Sequence, residues 1–379
     1  MPIKRIVDTA CMIEPRDKVR RVTYFAPKTG SNDITERTVS VKFAVLQFFS
    51  WPGKRVPLEA VYQRAFDRVD VMERSGYDAV WLAEHHFSTY SVCPSIHMMG
   101  THIAARTERL RIGTAVSLTP FYHPLRLAEE VALLDVLSGG RVNWGAGRGF
   151  DPTEYRTFGV DFAESYPRFR EGVDIVLEAW KNERLSYDGQ FHQYENVEVL
   201  PKPVQQPHPP VWLAATSPTA VEWCAQHGFT ILMDPHATHA DIATKRALYQ
   251  SELEQAGHSI EGREIPMARN IAVANTDAEA LEIARRGAQF MFGNYLPKGV
   301  GSAAPDAEKR IDMSAIGGRA DDETVDRYAN ETVIWGSPEK VYDDLQDLAE
   351  TLPLEYLMCA PLSQGSFEVF TEKVLPKFL

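Results

Sequence analysis

The sequence predicts an α/β protein built as a single (β/α)8 TIM barrel with insertions, one of them a lid. The strand segments are short and apolar on both faces, as a parallel sheet covered by helices requires. Strand and helix alternate in about eight units over roughly 340 residues, which suits one barrel better than two separate domains.

The elements follow in order. Residues 1–40 stand apart: charges mix with Thr, Ser and Gly, and Pro27-Lys28-Thr29-Gly30-Ser31-Asn32-Asp33 is turn material without a period. This stretch is expected to be an N-terminal extension, mobile or draped over a neighbouring surface, with the barrel over 41–379. The run 43–49 reads as the first strand, closed by Trp51-Pro52-Gly53. Residues 58–74 carry Ala65, Val69 and Met72 on one helical stripe, with Gly76 as the stop. The next pairs of strand and helix are 79–82 with 95–106, 110–118 with 124–137, and 142–146 with 165–180. An excursion at 185–200 interrupts, and its Tyr187-Asp188-Gly189-Gln190-Phe191 reads as a hairpin turn. The rhythm resumes with 211–214 and 218–226, 230–233 and 240–256, 271–274 and 278–292, and ends with 356–359 and 367–378. The stretch 293–329 is rich in Gly, Ala and Asp and has little periodicity, so it is expected to be the lid.

Composition narrows the function. Forty basic against fifty-two acidic residues leave a formal net charge of −12, with no long basic run. Nucleic-acid and anionic-membrane binding are not expected, because both rely on concentrated positive charge. The four cysteines Cys11, Cys93, Cys224 and Cys359 are far apart and suit a reducing compartment. Behind Lys4, Arg5 and Asp8 no apolar stretch of a signal peptide follows, and no uncharged apolar run approaches the ~18 residues of a membrane helix. A cytoplasmic protein is expected.

In such a barrel functional groups gather where strands end and loops begin. After the second strand comes Ala83-Glu84-His85-His86-Phe87, two histidines behind an acid; imidazole exchanges protons near neutral pH without a large pKa shift. After the third come Thr114-Ala115-Val116, small enough for backbone to approach a flat ligand, and the ring-bearing Phe121-Tyr122-His123. After the fourth, Gly145-Ala146-Gly147-Arg148-Gly149-Phe150 imitates a dinucleotide loop. Its last glycine is replaced by Phe150, however, and Asp151-Pro152 is read as continuing without a helix. What remains is a loop presenting Arg148, a good donor to phosphate. After the fifth, Ala215-Thr216-Ser217-Pro218 leads into a helix; a plain N-cap is the simpler reading, but beside Arg148 the same helix start becomes a phosphate cradle. No reliable metal-ligand spacing appears in His236-Ala237-Thr238-His239 or in His97 with His102, so no metal is expected.

Several runs together resemble the bacterial luciferase-like flavin monooxygenase family. They are Glu84-His85-His86-Phe87, Gly113-Thr114-Ala115, His123-Pro124 with Ala128-Glu129-Glu130-Val131 and Leu134-Asp135, Ser138-Gly139-Gly140-Arg141, Arg148-Gly149, and Glu222-Trp223-Cys224-Ala225-Gln226-His227-Gly228. The resemblance runs from about Val41 to the C-terminus, and each run alone is weak. It implies a (β/α) barrel, usually dimeric, that binds reduced FMN at the C-terminal mouth. It places His85 near the reactive flavin face, Arg148 and the Thr216-Ser217 segment on the phosphate, and Glu154 at an acidic position near the flavin. Ala115-Val116 falls where a non-proline cis peptide often lies under the isoalloxazine. Against the luciferase α chain, Gly147 replaces a reactive cysteine and Thr216 a glutamate; both departures argue against light emission and not against flavin binding.

The function implied is a two-component monooxygenase. A separate reductase supplies reduced FMN, molecular oxygen is the co-substrate, and one oxygen atom passes to a small organic molecule. Phe48, Phe121, Tyr122 and Phe150, with His86 nearby, are the expected substrate lining and point to a largely apolar molecule. Two alternatives share the fold: a deazaflavin-dependent hydride transferase and a non-catalytic flavin-binding protein. The Glu-His-His-Phe run favours FMN over the first, and retention of His85 with Arg148 argues against the second.

Overall fold

A computed structural model describes residues 41–294, 320–352 and 354–379, together with the backbone of 23–25 and 36–38. In β1 (Lys42–Gln47), Phe43 and Val45 belong to the large cluster packed against the helices, whereas Ala44 and Leu46 belong to a second cluster inside the sheet. That is the two-residue period of a strand buried on both faces.

The pattern recurs in β2 (Ala79–Leu82), β3 (Arg111–Thr114), β4 (Val142–Gly147), β5 (Val211–Ala214), β6 (Thr230–Leu232), β7 (Pro266–Val273), β8 (Val333–Gly336) and β9 (Tyr356–Pro361). These pair in parallel in the order β6-β5-β4-β3-β2-β1-β9-β7-β8. The sheet closes through Met233, which follows β6. Its N–H donates to the Pro266 carbonyl and its own carbonyl accepts from Ala268 N–H, both at 3.1 Å. Eight strands therefore form the barrel. β8 adds a ninth along the upper half of β7, on the edge that Met233 meets lower down.

Helices cover the outside, among them α2 (Ile96–Ala104), α3 (Pro124–Ser138) and α7 (His239–Gln255). α1 (Leu58–Arg74) buries Val61, Ala65, Arg68, Val69 and Met72 on one face. It stops where Ser75 N–H returns to the Met72 carbonyl and Gly76 takes φ +86°, a region that favours glycine. Trp81, Trp212 and Tyr356 pack inside the barrel, and Gly113 leaves the room: a Cβ there would lie 2.2 Å from Trp81 Cδ2. Trp81 Nε1 donates to Tyr356 Oη at 3.0 Å, and that hydroxyl donates to Asp78 Oδ2 at 2.7 Å, so the polar tips of this plug are satisfied.

The structure departs from the sequence reading in three places. The Gly145–Phe150 loop does run into a helix, α4 (Pro152–Phe158), because Asp151 accepts the Thr153 N–H at 2.8 Å as its N-cap and Pro152 takes the first helical position. Part of the expected lid is packed structure. Residues 293–294 end α8 (Asp277–Asn294), and α9 (Asp322–Thr332) buries Val325, Tyr328 and Ala329 against α8 and β8. Residues 295–319, the centre of that lid, lie outside the described residues. β8 and the following α10 (Pro338–Thr351) form a further unit that the sequence reading did not contain. Of the expected N-terminal extension, Thr23–Phe25 pairs antiparallel with Glu36–Thr38; the rest of 1–40 lies outside the described residues. The excursion after α5 (Ser165–Lys181) is the antiparallel hairpin Leu185–Asp188 with Gln193–Val197, as read from its turn.

Candidate active site

A cavity of ≈ 170 Å³ opens at the C-terminal ends of the strands. Leu46, Phe48, Leu232, Met233, Ala268 and Met358 make its apolar wall, and His85, Arg148, Arg170, Thr216 and Asp234 bring polar groups to it. Of the residues singled out in the sequence, Phe48, His85, Ala115, Val116, Arg148, Phe150 and Thr216 line this space. Glu154, Ser217, His86, Phe121 and Tyr122 stand behind it.

The end of β2 carries the two histidines in opposite directions. His85 faces the cavity within an aromatic surround: Phe48 is stacked at 6.3 Å, with Tyr90 edge-on at 5.0 Å and Phe150 at 6.1 Å. Behind it, Oε1 of the buried Glu154 lies 3.7 Å from His85 Nδ1, close enough to orient the ring and too far for a hydrogen bond. His86 turns away to contact Phe121 and Phe158, and its Nε2 meets Glu84 Oε1 at 3.0 Å. Tyr122 donates to Glu84 Oε2 at 2.9 Å. Burial and the Glu84 charge push the Tyr122 phenol well above its ordinary pKa, so it remains a donor. Glu84 is thus occupied in fixing the loop, and His86, Phe121 and Tyr122 form that loop's support.

The phosphate candidates do converge. Ser217 is the N-cap of α6 (Pro218–Gln226), accepting Ala220 N–H at 3.3 Å, and Thr216 beside it lines the cavity. Tyr166 Oη lies 3.4 Å from Ser217 Oγ. The Arg148 guanidinium sits 4.4 Å from the Tyr166 ring centre and donates to Ser165 Oγ at 3.2 Å. Arg170, which the sequence reading passed over, lies 5.9 Å from the same ring and 5.1 Å from that of Trp223. Its buried Nε has no hydrogen-bond partner, and neither arginine has a carboxylate partner among the described residues. A signal was available: Arg170 stands one turn after Tyr166 and interrupts the apolar face made by Phe169 and Val173.

The Ala115-Val116 peptide is cis. Gly147 lies against it, and a Cβ at Gly147 would be 2.5 Å from Val116 Cγ2. Backbone and small groups therefore form one side of the cavity.

Asp234, two residues after β6, was also passed over although it occupies a strand end. Lys245 donates to its Oδ2 at 3.1 Å. Burial alone would raise its pKa, but Lys245, His236 and Arg269 outweigh that and hold the carboxyl below its ordinary value. His236 Nδ1 meets Tyr328 Oη of α9 at 2.5 Å, which ties α9 to this rim. Among the described residues no group of three or more His, Cys, Asp or Glu could hold a metal ion, and no helix is long and apolar enough to cross a membrane.

Known proteins share this architecture. The chain is 30% identical over 238 residues to the oxygenase component of the flavin-dependent trigonelline monooxygenase of Acinetobacter baylyi, covering 62% of this chain and 65% of that one, just under two thirds of its length. It is 25% identical over 321 residues to an alkanal monooxygenase alpha chain of Photorhabdus luminescens, covering 81% and 88%. The crystal structure of the monooxygenase RslO1 from Streptomyces bottropensis superposes with a TM-score of 0.75 at 25% identity, covering 89% of this chain and all of that one. Residues 41–355 match the family model of the luciferase-like monooxygenases, and the chain belongs to that family.

Proposed function

We propose that this chain is the oxygenase of a two-component flavin monooxygenase, taking reduced FMN from a separate reductase and using molecular oxygen to oxygenate a small organic substrate. One observation carries the reading: Arg148 and Arg170, both without a carboxylate partner among the described residues, meet the N-terminus of α6 in the same cavity as His85. Two uncompensated guanidinium groups beside a helix start call for an anion. The Arg170 Nε that lacks a partner fits a phosphate, and the wall at Val116 and Gly147 fits a flat ring.

Each residue then has a task. Arg148, Arg170 and Thr216 hold the phosphate at the helix start that Ser217 caps from behind, while Ala115, Val116 and Gly147 lie along the ring system. When bound, reduced FMN supplies the electrons that activate oxygen. His85, oriented by Glu154, holds or moves a proton, and Phe48, Tyr90 and Phe150 keep water from it. The name of the trigonelline relative, an oxygenase component, supports a separate reductase, and a homodimer is part of the same reading. The deciding experiment mixes the protein with chemically reduced FMN, isotope-labelled dioxygen and candidate substrates. Label in an organic product supports the reading; binding of reduced deazaflavin with no binding of reduced FMN overturns it in favour of hydride transfer.

A further inference from the structure

A second, larger cavity of ≈ 610 Å³ adjoins the first, and Leu46 and Phe48 form the wall common to both. It is bounded by the loop after β1, by α1, by α8 and by the segment that follows β9. Arg55, Arg64, Arg68 and Arg286 line it, and no Asp or Glu does so among the described residues. In a chain of net charge −12, that is a local reversal of sign.

Among the described residues, Arg286 alone of these arginines has a carboxylate partner, the exposed Glu282 at 3.8 Å. Arg64 and Arg68 are one turn apart on α1. Arg68 is only 8% exposed; its Nε donates to the neutral Gln364 Oε1 at 2.7 Å, and its guanidinium lies 5.5 Å from the Phe367 ring, so its position is fixed. Burial first, and then the neighbouring Arg64, bring its pKa down to about 10, with Glu368 opposing. Arg55, Arg64 and Arg286 are exposed and keep their hydration, but Arg68 is buried against a neutral partner, and a buried charge is costly unless an opposite charge joins it.

We infer that the second cavity binds a carboxylate: the substrate is an organic acid whose charged end is held by Arg64 and Arg68 while its oxidisable part reaches past Phe48 into the cavity of His85. This gives the largely apolar substrate expected from the sequence a charged end. The oxidation half rests on the monooxygenase reading; the anion site does not.

The test is calorimetric titration of the full chain with benzoate, phenylacetate and glutarate, each against its neutral amide, with and without oxidised FMN. At least one acid is expected to bind about tenfold more tightly than its amide and to weaken with salt. Arg64→Glu, at an exposed position, is expected to abolish that preference while FMN binds as before. Arg68→Met, checked for folding by circular dichroism, is expected to do the same. The inference is overturned if no acid outbinds its amide, or if the preference survives in both folded variants. It is also overturned if Arg64→Glu weakens FMN but not riboflavin, which would make this a site for the cofactor's phosphate. Acid preference without any FMN binding would sink the flavin reading alone.

Discussion

Glu154 Oε1 lies 3.7 Å from Nδ1 of His85 while it accepts the backbone N–H of His86 at 2.9 Å, so one buried carboxylate from α4 fixes both the end of β2 and the ring that faces the cavity. If His85 acts on a proton, His85→Ala is expected to bind reduced FMN nearly as before, while product falls by roughly 10²–10⁴-fold and uncoupled hydrogen peroxide rises. Glu154→Gln keeps an acceptor for His86 and removes the charge, so a smaller loss of coupling is expected with the fold intact. Product and peroxide per reduced flavin are the measurements. Parallel losses of melting temperature and flavin affinity in His85→Ala, with coupling kept, would make this pair a structural brace.

Arg148 and Arg170 approach the same tyrosine ring beside the α6 start, so they are expected to share one phosphate. Arg148→Ala should weaken reduced FMN more than reduced riboflavin by about 1.5–3 kcal/mol, roughly 10- to 150-fold. Arg170→Ala should show the same selectivity, and the double variant should lose less than the sum because both act on one group. Equal weakening of both flavins, read by equilibrium titration, would remove the phosphate from this corner.

Much of this was legible because it is written locally. The 58–74, 79–82, 211–214 and 218–226 segments coincide with their elements, since the apolar pattern and the flanking Pro, Ser or Gly residues agree there. His85, Arg148 and Thr216 sit at strand ends, where position in the barrel alone brings them together. Other features depend on tertiary placement. Glu154 reaches His85 only because Asp151 caps a seven-residue helix, and Phe121 and Tyr122 turn away from the cavity because Phe158 and Glu84 hold them. β8 has only four residues and completes itself against the upper half of β7, an edge that no local pattern reveals. Val325, Tyr328 and Ala329 do show helical spacing, but the Gly-rich residues before them obscured it.

Gly147 has no room for a side chain, because a Cβ would stand 2.5 Å from Val116 Cγ2 and 3.3 Å from the Ala214 Cβ. Gly147→Ala is therefore expected to destabilise the fold by about 1–3 kcal/mol through overpacking and to weaken flavin binding with it. Val116→Ala in the same chain should restore most of both. Denaturant unfolding and flavin titration of the two single variants and the double variant check this. A Gly147→Ala protein as stable as the parent, with unchanged affinity, would show that Val116 yields freely.

The rim around Asp234 makes stability depend on pH in a defined direction. Burial is the leading cause that lowers His236 from 6.5 to about 4, with Asp234 opposing and Arg269 and His85 adding to the shift; burial, then Arg269, does the same to His239. Both histidines are thus held neutral in the folded chain at pH values where the unfolded chain has begun to take up protons. Their contribution is fully present above about 6.5, is lost progressively as pH falls toward about 4, and changes no further below that. Asp234 acts lower: its carboxyl is held below 3.8, so its share is lost only as pH falls below that value. Urea unfolding midpoints taken from about pH 7 down to about pH 4 should fall, and the His236→Gln, His239→Gln double variant should show a shallower fall over the same window. The subtraction matters, because carboxylates elsewhere also titrate toward the acid end and are common to both proteins. If parent and double variant lose stability in parallel, these histidines already bind protons in the folded chain, and the rim is wetter than its burial implies.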